Sequence, residues 1–235
     1  MTPPKPLKKT MPPSTLPPSD MPPAIPPASP FASKSEARSL LLMQRRKLHE
    51  SMTKPWSAQV VEQAKAWPGW HHHAVVGCYW PLARENGGEP DLTALYAWLV
   101  QQGHQLALPT VVAADHPMAF QRWQPGDAMV QSSQLRGLWQ PAAEQPVVMP
   151  SLLLIPAVAI DRRGYRLGFG AGYYDRTLAA LRAAQAASQP PLTAVGVAFR
   201  PFWVESLPNE PHDQALQVGI HEDGWVDFAP TFSQS

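Results

Sequence analysis

The sequence predicts an α/β layered domain with a mainly parallel sheet, and three observations carry that expectation. Short apolar runs at 74–79 (AVVGCY), 152–155 (LLLI) and 193–199 (TAVGVAF) show no polar alternation, so they read as strands buried on both faces. Segments of helical pattern stand between them, the alternation expected of βα units. At 235 residues, the length suits one domain with a tail.

The totals narrow the function classes. A formal charge of +1 provides no broad basic field for nucleic acid or an anionic membrane. One cysteine, Cys78, allows no intramolecular disulfide, which fits a reducing cytosol. No apolar run approaches the length of a membrane span, and the N-terminus lacks the apolar core of a signal peptide. The expectation is a cytoplasmic monomer that handles small molecules, with no nucleic-acid or membrane partner.

Twelve of the 29 prolines fall in the first thirty positions. Residues 1–32 are therefore expected as a disordered or polyproline-like tail, and a Pro-rich ligand for a partner domain is the alternative reading. The folded domain is expected over 33–228, with 229–235 frayed. Ser33-x-x-Glu36 is a capping box, and the helix it opens carries Ala37, Leu40, Leu41 and Leu48 on its apolar side. Lys34 and Arg38, four apart, share a face near its N-terminus, while Arg45 lies elsewhere on the polar surface. Cations there oppose the macrodipole unless an anion offsets them, so on pattern alone the pair reads as a solvated basic face.

A second helix is expected over 58–67, ending at Pro68-Gly69. His71, His72 and His73 follow, but three adjacent histidines do not share a face and no ligand cluster surrounds them. The strand at 74–79 ends at Trp80-Pro81, and Glu85 follows in a polar loop. Ligands of open α/β sheets sit beyond the carboxyl ends of strands, so this loop is well placed. Asp91 caps a helix over 92–102, with Leu92, Leu95, Trp98 and Leu99 inward. Strands are expected at 105–108 and 118–123, where Phe120 and Trp123 read as core, and 142–150 reads as loop.

The stretch 151–178 organises the chain. Its apolar run, Leu152 to Ile155 and on through Ala157 to Ile160, reads as one buried strand. Asp161-Arg162-Arg163-Gly164 supplies turn chemistry. Three glycines then alternate, Gly168, Gly170 and Gly172, before a helix over 173–187. Strand, glycine loop and helix N-terminus together bind phosphate, because open amides point at the anion. Arg166 is placed to take a phosphate in bidentate fashion, and Asp175 in the first helical turn suits the dipole and Mg²⁺. The competing reading is a Gly-rich hairpin leading into an ordinary capped helix. A last strand is expected around 217–220, and Asp213 by itself reads as a turn residue.

The string Pro156-Ala-Val-Ala-Ile-Asp161-x-x-Gly164-x-Arg166-Leu167-Gly168-x-Gly170-x-Gly172-Tyr173-Tyr174-Asp175-Arg176 closely resembles the signature of the 5-formyltetrahydrofolate cyclo-ligase (methenyltetrahydrofolate synthetase) family. Lys34-x-x-Ala37-Arg38, Gly137-x-x-Gln140-Pro141 and the block Leu207 to Asp213 resemble further elements of it, so the resemblance covers about 34–220. It implies a three-layer αβα fold and ATP- and Mg²⁺-dependent conversion of 5-formyltetrahydrofolate to 5,10-methenyltetrahydrofolate, ADP and phosphate. Lys34, Arg38 and Arg166 are implied as the catalytic cations. The nucleotide contacts implied are those three with Leu167, Gly168, Phe169, Gly170, Ala171, Gly172, Tyr173 and Tyr174. For folate they are Trp80, Glu85, Gly170, Gly172 and Tyr173, and for Mg²⁺ Asp175 and Asp213.

This chain departs from the family pattern at four places. Phe169 and Ala171 stand where a basic residue or glycine is frequent, Phe202 where Gln is common and Gln217 where Asp is common. Two rivals follow. One is a sugar-phosphate or CoA-handling enzyme of the same fold, which needs no combination of Lys34, Arg38 and Glu85. The other is a folate- or nucleotide-binding paralogue without turnover, for which the loop departures speak.

Overall fold

The computed structural model describes residues 31–48, 50–82, 88–135, 137–142, 144–185 and 191–228. The tail expected over 1–32 lies outside them apart from Phe31 and Ala32, as do the C-terminal seven residues and Glu85. Phe31 already packs against the core.

Seven strands form the main sheet in the order β12-β11-β9-β6-β1-β2-β3. Its centre is parallel: β11 (Val218–His221), β9 (Thr193–Val197), β6 (Leu152–Pro156), β1 (Val75–Gly77) and β2 (Gln105–Thr110). Antiparallel strands close both edges, β12 (Gly224–Asp227) beside β11 and β3 (Ala119–Arg122) beside β2. The pleat divides β6 between two cores. Leu152 and Leu154 join a cluster with Leu41 of α1 (Lys34–Arg46), Val60 of α2 (Glu50–Ala66) and Leu95 of α3 (Thr93–Gln101). Leu153 and Ile155 join the other, with Leu178 of α4 (Tyr173–Ala184). A strand whose successive side chains alternate between two apolar layers carries no polar position, which is why its sequence is a continuous run. Helices α1 to α3 therefore cover one face and α4 the other, the three-layer αβα arrangement.

Connections run in opposite directions from the sheet centre. β1 passes through α3 to β2, whereas β6 passes through α4 to β9. Strand order thus reverses between β1 and β6, and the crevice beyond their carboxyl ends is the switch point where open α/β sheets take ligands.

Several elements differ from the sequence expectation. Helix α2 begins at Glu50, about two turns before 58, and runs through Pro55. Proline lacks the amide donor of a helix interior, so the pattern hid this first segment. The run 152–160 is two strands: β6 ends at Pro156, and β7 (Ala159–Asp161) belongs to a separate three-stranded sheet with β8 (Arg166–Leu167) and β10 (Trp203–Val204). A two-stranded hairpin, β4 (Met129–Gln131) with β5 (Trp139–Pro141), and the edge strand β12 lack buried runs and were not expected. The capping box is half made. Ser33 Oγ accepts from the Glu36 amide at 3.1 Å, but the Glu36 carboxylate accepts from the Ala32 amide at 2.7 Å rather than from Ser33. Among the described residues no helix is long and apolar enough to cross a membrane.

Candidate active site

Hairpin β7–β8 presents Arg166, paired in register with Ile160. Gly164 closes its turn at φ 82° and donates its amide to the Asp161 carbonyl at 3.0 Å. Arg166 is then fixed from two sides. Its Nη2 donates to Asp175 Oδ1 at 2.8 Å, and its Nη1 donates to the Gln214 carbonyl. Asp175 Oδ1 also accepts the Gln214 amide at 3.0 Å. A guanidinium held this way is oriented before any ligand arrives.

A hairpin leads into the glycine segment and a helix N-terminus follows it, the geometry common to both sequence readings. Gly170 (φ 106°) and Gly172 (φ 68°) occupy the left-handed region. Gly172 is the N-cap of α4 and offers no side-chain oxygen, leaving the first-turn amides without a side-chain cap. A Cβ on Gly172 would meet Arg176 Nη1 at 2.7 Å. Ala171 needs no such freedom, because Asp115 is the only non-glycine at positive φ among the described residues. The alanine departure therefore costs the turn nothing.

Helix α1 closes the opposite wall. Arg38 Nε donates to the Gly168 carbonyl at 2.8 Å. Lys34 Nζ lies 2.6 Å from Asp213 Oδ2 and 2.8 Å from Glu210 Oε2. Burial works to lower the Lys34 pKa, but hydrogen bonds and charge from Asp213 and Glu210 outweigh it and hold the value above normal. Lys34, Arg38, Arg166 to Asp175, and Asp213 all line one cleft of about 690 Å³. Phe169 stands 40% exposed at its edge.

The same cleft continues past Trp80, Pro109, Met118 and Pro156, beyond the ends of β1, β2 and β6. Phe120 and Trp123 are buried core, as expected, and Trp80 stands edge-on to Trp123 at 5.8 Å between ring centroids. The sequence reading passed over the carboxylate found here, Glu89. Its Oε2 accepts the Leu82 amide at 2.8 Å, and the residue lines the cleft beside Tyr79 and Trp80. Glu85, the expected carboxylate, lies outside the described residues. The available signal was Gly88-Glu89-Pro90 ahead of Asp91, closer to the helix than Glu85.

Burial raises the Glu89 pKa to about 7, against the Leu82 amide and the Arg45 charge, which act to lower it. A folded value above the unfolded one means the protonated form favours folding. That contribution is full below about pH 4.5 and is lost as pH rises through about 7. Binding of a hydrogen-bond donor to the carboxylate runs the other way, weakening as pH falls below 7. Ligand titrations and thermal melts between pH 5 and 8 are expected to show both trends in the native chain. Glu89→Gln is expected to flatten both, and a persistent acid limb in that variant would assign the titration to another group.

The sequence-predicted metal carboxylates sit in the cleft, each beside a cation: Asp175 with Arg166, Asp213 with Lys34. Asp213, Glu210 and His212 bring ligand atoms within 4.8 Å of one another, and Asp175 is not part of that group. Carboxylate oxygens are the hard donors Mg²⁺ prefers, and Asp175 Oδ2 has no partner among the described residues, so the donor set fits such an ion. His71 and His73 join no ligand cluster among the described residues, and the His72 side chain lies outside them. The remaining departures are structural. Phe202 is buried beneath the Arg45 guanidinium at 5.7 Å, and Gln217 Oε1 accepts the Ala194 amide at 2.8 Å.

A doubly wound sheet with a glycine turn and three basic side chains at its switch point is the architecture of an α/β enzyme. Residues 30–220 match the model of the 5-formyltetrahydrofolate cyclo-ligase family, and the chain belongs to that family. The 5-formyltetrahydrofolate cyclo-ligase of Mycolicibacterium smegmatis is 32% identical over 196 residues, 78% of this chain and 91% of that protein. The protein of that name from Haemophilus influenzae is 34% identical over 134 residues, 55% and 67% of the two chains. Among solved structures, Aquifex aeolicus 5,10-methenyltetrahydrofolate synthetase superposes with a TM-score of 0.68 at 29% identity, covering 86% of this chain and 96% of the other. The Mycoplasma pneumoniae synthetase, at 20% identity, shares the fold with a TM-score of 0.61, covering 80% and 98%.

Proposed function

We propose that this chain catalyses the ATP- and Mg²⁺-dependent cyclisation of 5-formyltetrahydrofolate to 5,10-methenyltetrahydrofolate, releasing ADP and phosphate. One observation carries the reading: a single cleft joins the cations and glycine turn at one end to Trp80 and the Glu89 carboxylate at the other.

A formyl oxygen is a poor leaving group. Its attack on the γ-phosphorus of ATP expels ADP and leaves an iminium-like formyl phosphate. The neighbouring folate nitrogen adds to the formyl carbon, loses its proton, and the C–O bond breaks with departure of phosphate. Positioning and charge neutralisation are then what the protein supplies. Lys34, Arg38 and Arg166 face the transferring phosphoryl group. Amides from Gly168 to Gly172 cradle the phosphates, with Leu167, Phe169, Ala171, Tyr173 and Tyr174 shaping the pocket. Trp80 offers a stacking face, and Glu89 accepts hydrogen bonds from the pterin ring. Asp175 and Asp213 would hold Mg²⁺, which when bound offsets phosphate charge. No covalent nucleophile is required; Cys78 is buried, and burial raises its pKa further.

Near-UV absorbance tests the proposal, since the methenyl product absorbs there and the substrate does not. Adding 5-formyltetrahydrofolate to the purified chain is expected to give a rise that needs ATP and Mg²⁺, and Asp175→Asn is expected to reduce it about a hundredfold or more. A flat trace with intact ligand binding would leave a binding paralogue as the correct reading.

A further inference from the structure

Arg45 is 3% exposed and is not part of the cleft lining, yet it carries a full charge into the core. Its Nε donates to the Gly88 carbonyl at 2.7 Å and its Nη1 to the Ala157 carbonyl at 2.8 Å. The guanidinium lies over the rings of Phe202 at 5.7 Å and Phe199 at 6.0 Å. Its Nη2 is buried without a hydrogen-bond partner among the described residues. Each contact fixes a neighbour of the ligand cleft. Gly88 immediately precedes Glu89, and Ala157 immediately follows Pro156, which lines the cleft.

We propose that Arg45 is a positioning residue for the Glu89 carboxylate, a role that rests on the folate reading of the cleft. Three bonds pin Glu89. Arg45 holds the residue before it, Tyr79 Oη holds the residue after it by donating to the Pro90 carbonyl at 2.6 Å, and the Leu82 amide holds Oε2. Tyr79 is fixed in turn, since its own carbonyl accepts the Tyr96 hydroxyl. Oε1 has no partner among the described residues and stays available to a ligand. An apolar residue at 45 would avoid the desolvation cost of a buried cation that has no direct carboxylate partner. The charge acts on Glu89 at a distance: Arg45 favours its ionised form, while burial opposes it. Among the described residues, Tyr79 and Tyr174 also feel this carboxylate, and burial with the Glu89 charge raises both of them.

Arg45→Met and Arg45→Lys in the full chain, each alone and combined with Glu89→Gln, test the assignment. Two readouts are taken. The first is the ¹³C NMR titration of the Glu89 carboxyl, identified by its loss in Glu89→Gln. The second is KM for 5-formyltetrahydrofolate against KM for ATP. Arg45→Met is expected to move the Glu89 titration to higher pH and raise the folate KM about tenfold, leaving the ATP KM unchanged. Arg45→Lys is expected to restore the titration more than the folate KM, because it returns charge without the two-carbonyl clamp. In the Glu89→Gln background neither substitution is expected to add to the folate defect. A Glu89 titration unmoved by Arg45→Met, equal rises in both KM values, or a full Arg45 effect in the Glu89→Gln background would each overturn the proposal. If Arg45→Met does not fold, Arg45→Lys decides on the same KM split. Absent turnover in the native chain would count against the cyclisation itself, while the substrate-free titration still decides whether Arg45 acts on Glu89.

Discussion

Arg166→Ala is expected to lower kcat/KM about a thousandfold, the scale on which an oriented charge contact to a transition state is lost. Two effects combine in that figure. The transferring phosphoryl group loses a guanidinium that was already aligned by Asp175 and the Gln214 carbonyl. Asp175 also loses its 2.8 Å partner, so the carboxylate proposed for Mg²⁺ keeps only the Gln214 amide. Arg166→Lys is expected to recover little of the activity. A single ammonium keeps the charge but cannot span both acceptors in the geometry of the fork. Steady-state kinetics for both substrates, with nucleotide affinity measured separately, distinguish these terms. Loss in kcat with ATP affinity nearly intact is the expected pattern. A fall of less than about tenfold would place the phosphoryl charge on Lys34 and Arg38 instead.

How legible this chain was depended on whether a signal lay in local pattern or in distant packing. The central strands announced themselves because β6, β9 and β1 alternate between two apolar layers and carry no polar residue apart from Thr193. Edge strands gave no such run: β12 has Trp225 and Val226 partly exposed, and β4 exposes Val130. The division of 152–160 into β6 and β7 depends on Pro156 ending one sheet and on Asp161 joining another, and apolarity alone cannot show either. Lys34 and Arg38 looked like a solvated face because their partners, Asp213 and the Gly168 carbonyl, lie far along the chain. The resemblance supplied what spacing did not.

Arg45 and Glu89 show the same limit in the other direction. By helix periodicity Arg45 belonged to the polar surface, yet it lies buried against Phe199 and Phe202, whose positions depend on the end of β9. Glu89 stood four residues after the expected Glu85, and a polar loop does not reveal which of its carboxylates turns inward. Burial and the Leu82 amide distinguish it, and both are tertiary facts. Ionisable groups turned inward are thus where pattern reasoning failed, Arg45 in the core and Glu89 in the wall of the cleft.

Asp161→Ala is expected to have the largest stability effect of any single change considered, a loss of about 3–5 kcal/mol, the combined scale of several hydrogen bonds to one buried carboxylate. The carboxylate is fully buried. Oδ1 accepts the amides of Arg163 at 2.9 Å and Tyr165 at 3.0 Å, which shapes the hairpin turn leading to Arg166. Oδ2 accepts the Leu207 amide at 3.0 Å and Arg163 Nη2 at 2.8 Å. The Leu207 bond anchors the start of the segment that carries Glu210 and Asp213, so one side chain outside the cleft sets the position of groups on two of its walls. Alanine leaves the buried Leu207 amide and the part-buried amides of Arg163 and Tyr165 without their acceptor, whereas Asn keeps an acceptor oxygen and is expected to lose less. Urea denaturation gives the stability change, and ATP KM at a temperature where the variant remains folded gives the positional one. A rise in ATP KM in folded Asp161→Asn would show that the carboxylate aligns the cleft as well as stabilising the core. An Asp161→Ala loss below about 1 kcal/mol would mean that the turn and the 207–213 segment are held by packing, with the carboxylate bonds contributing little net.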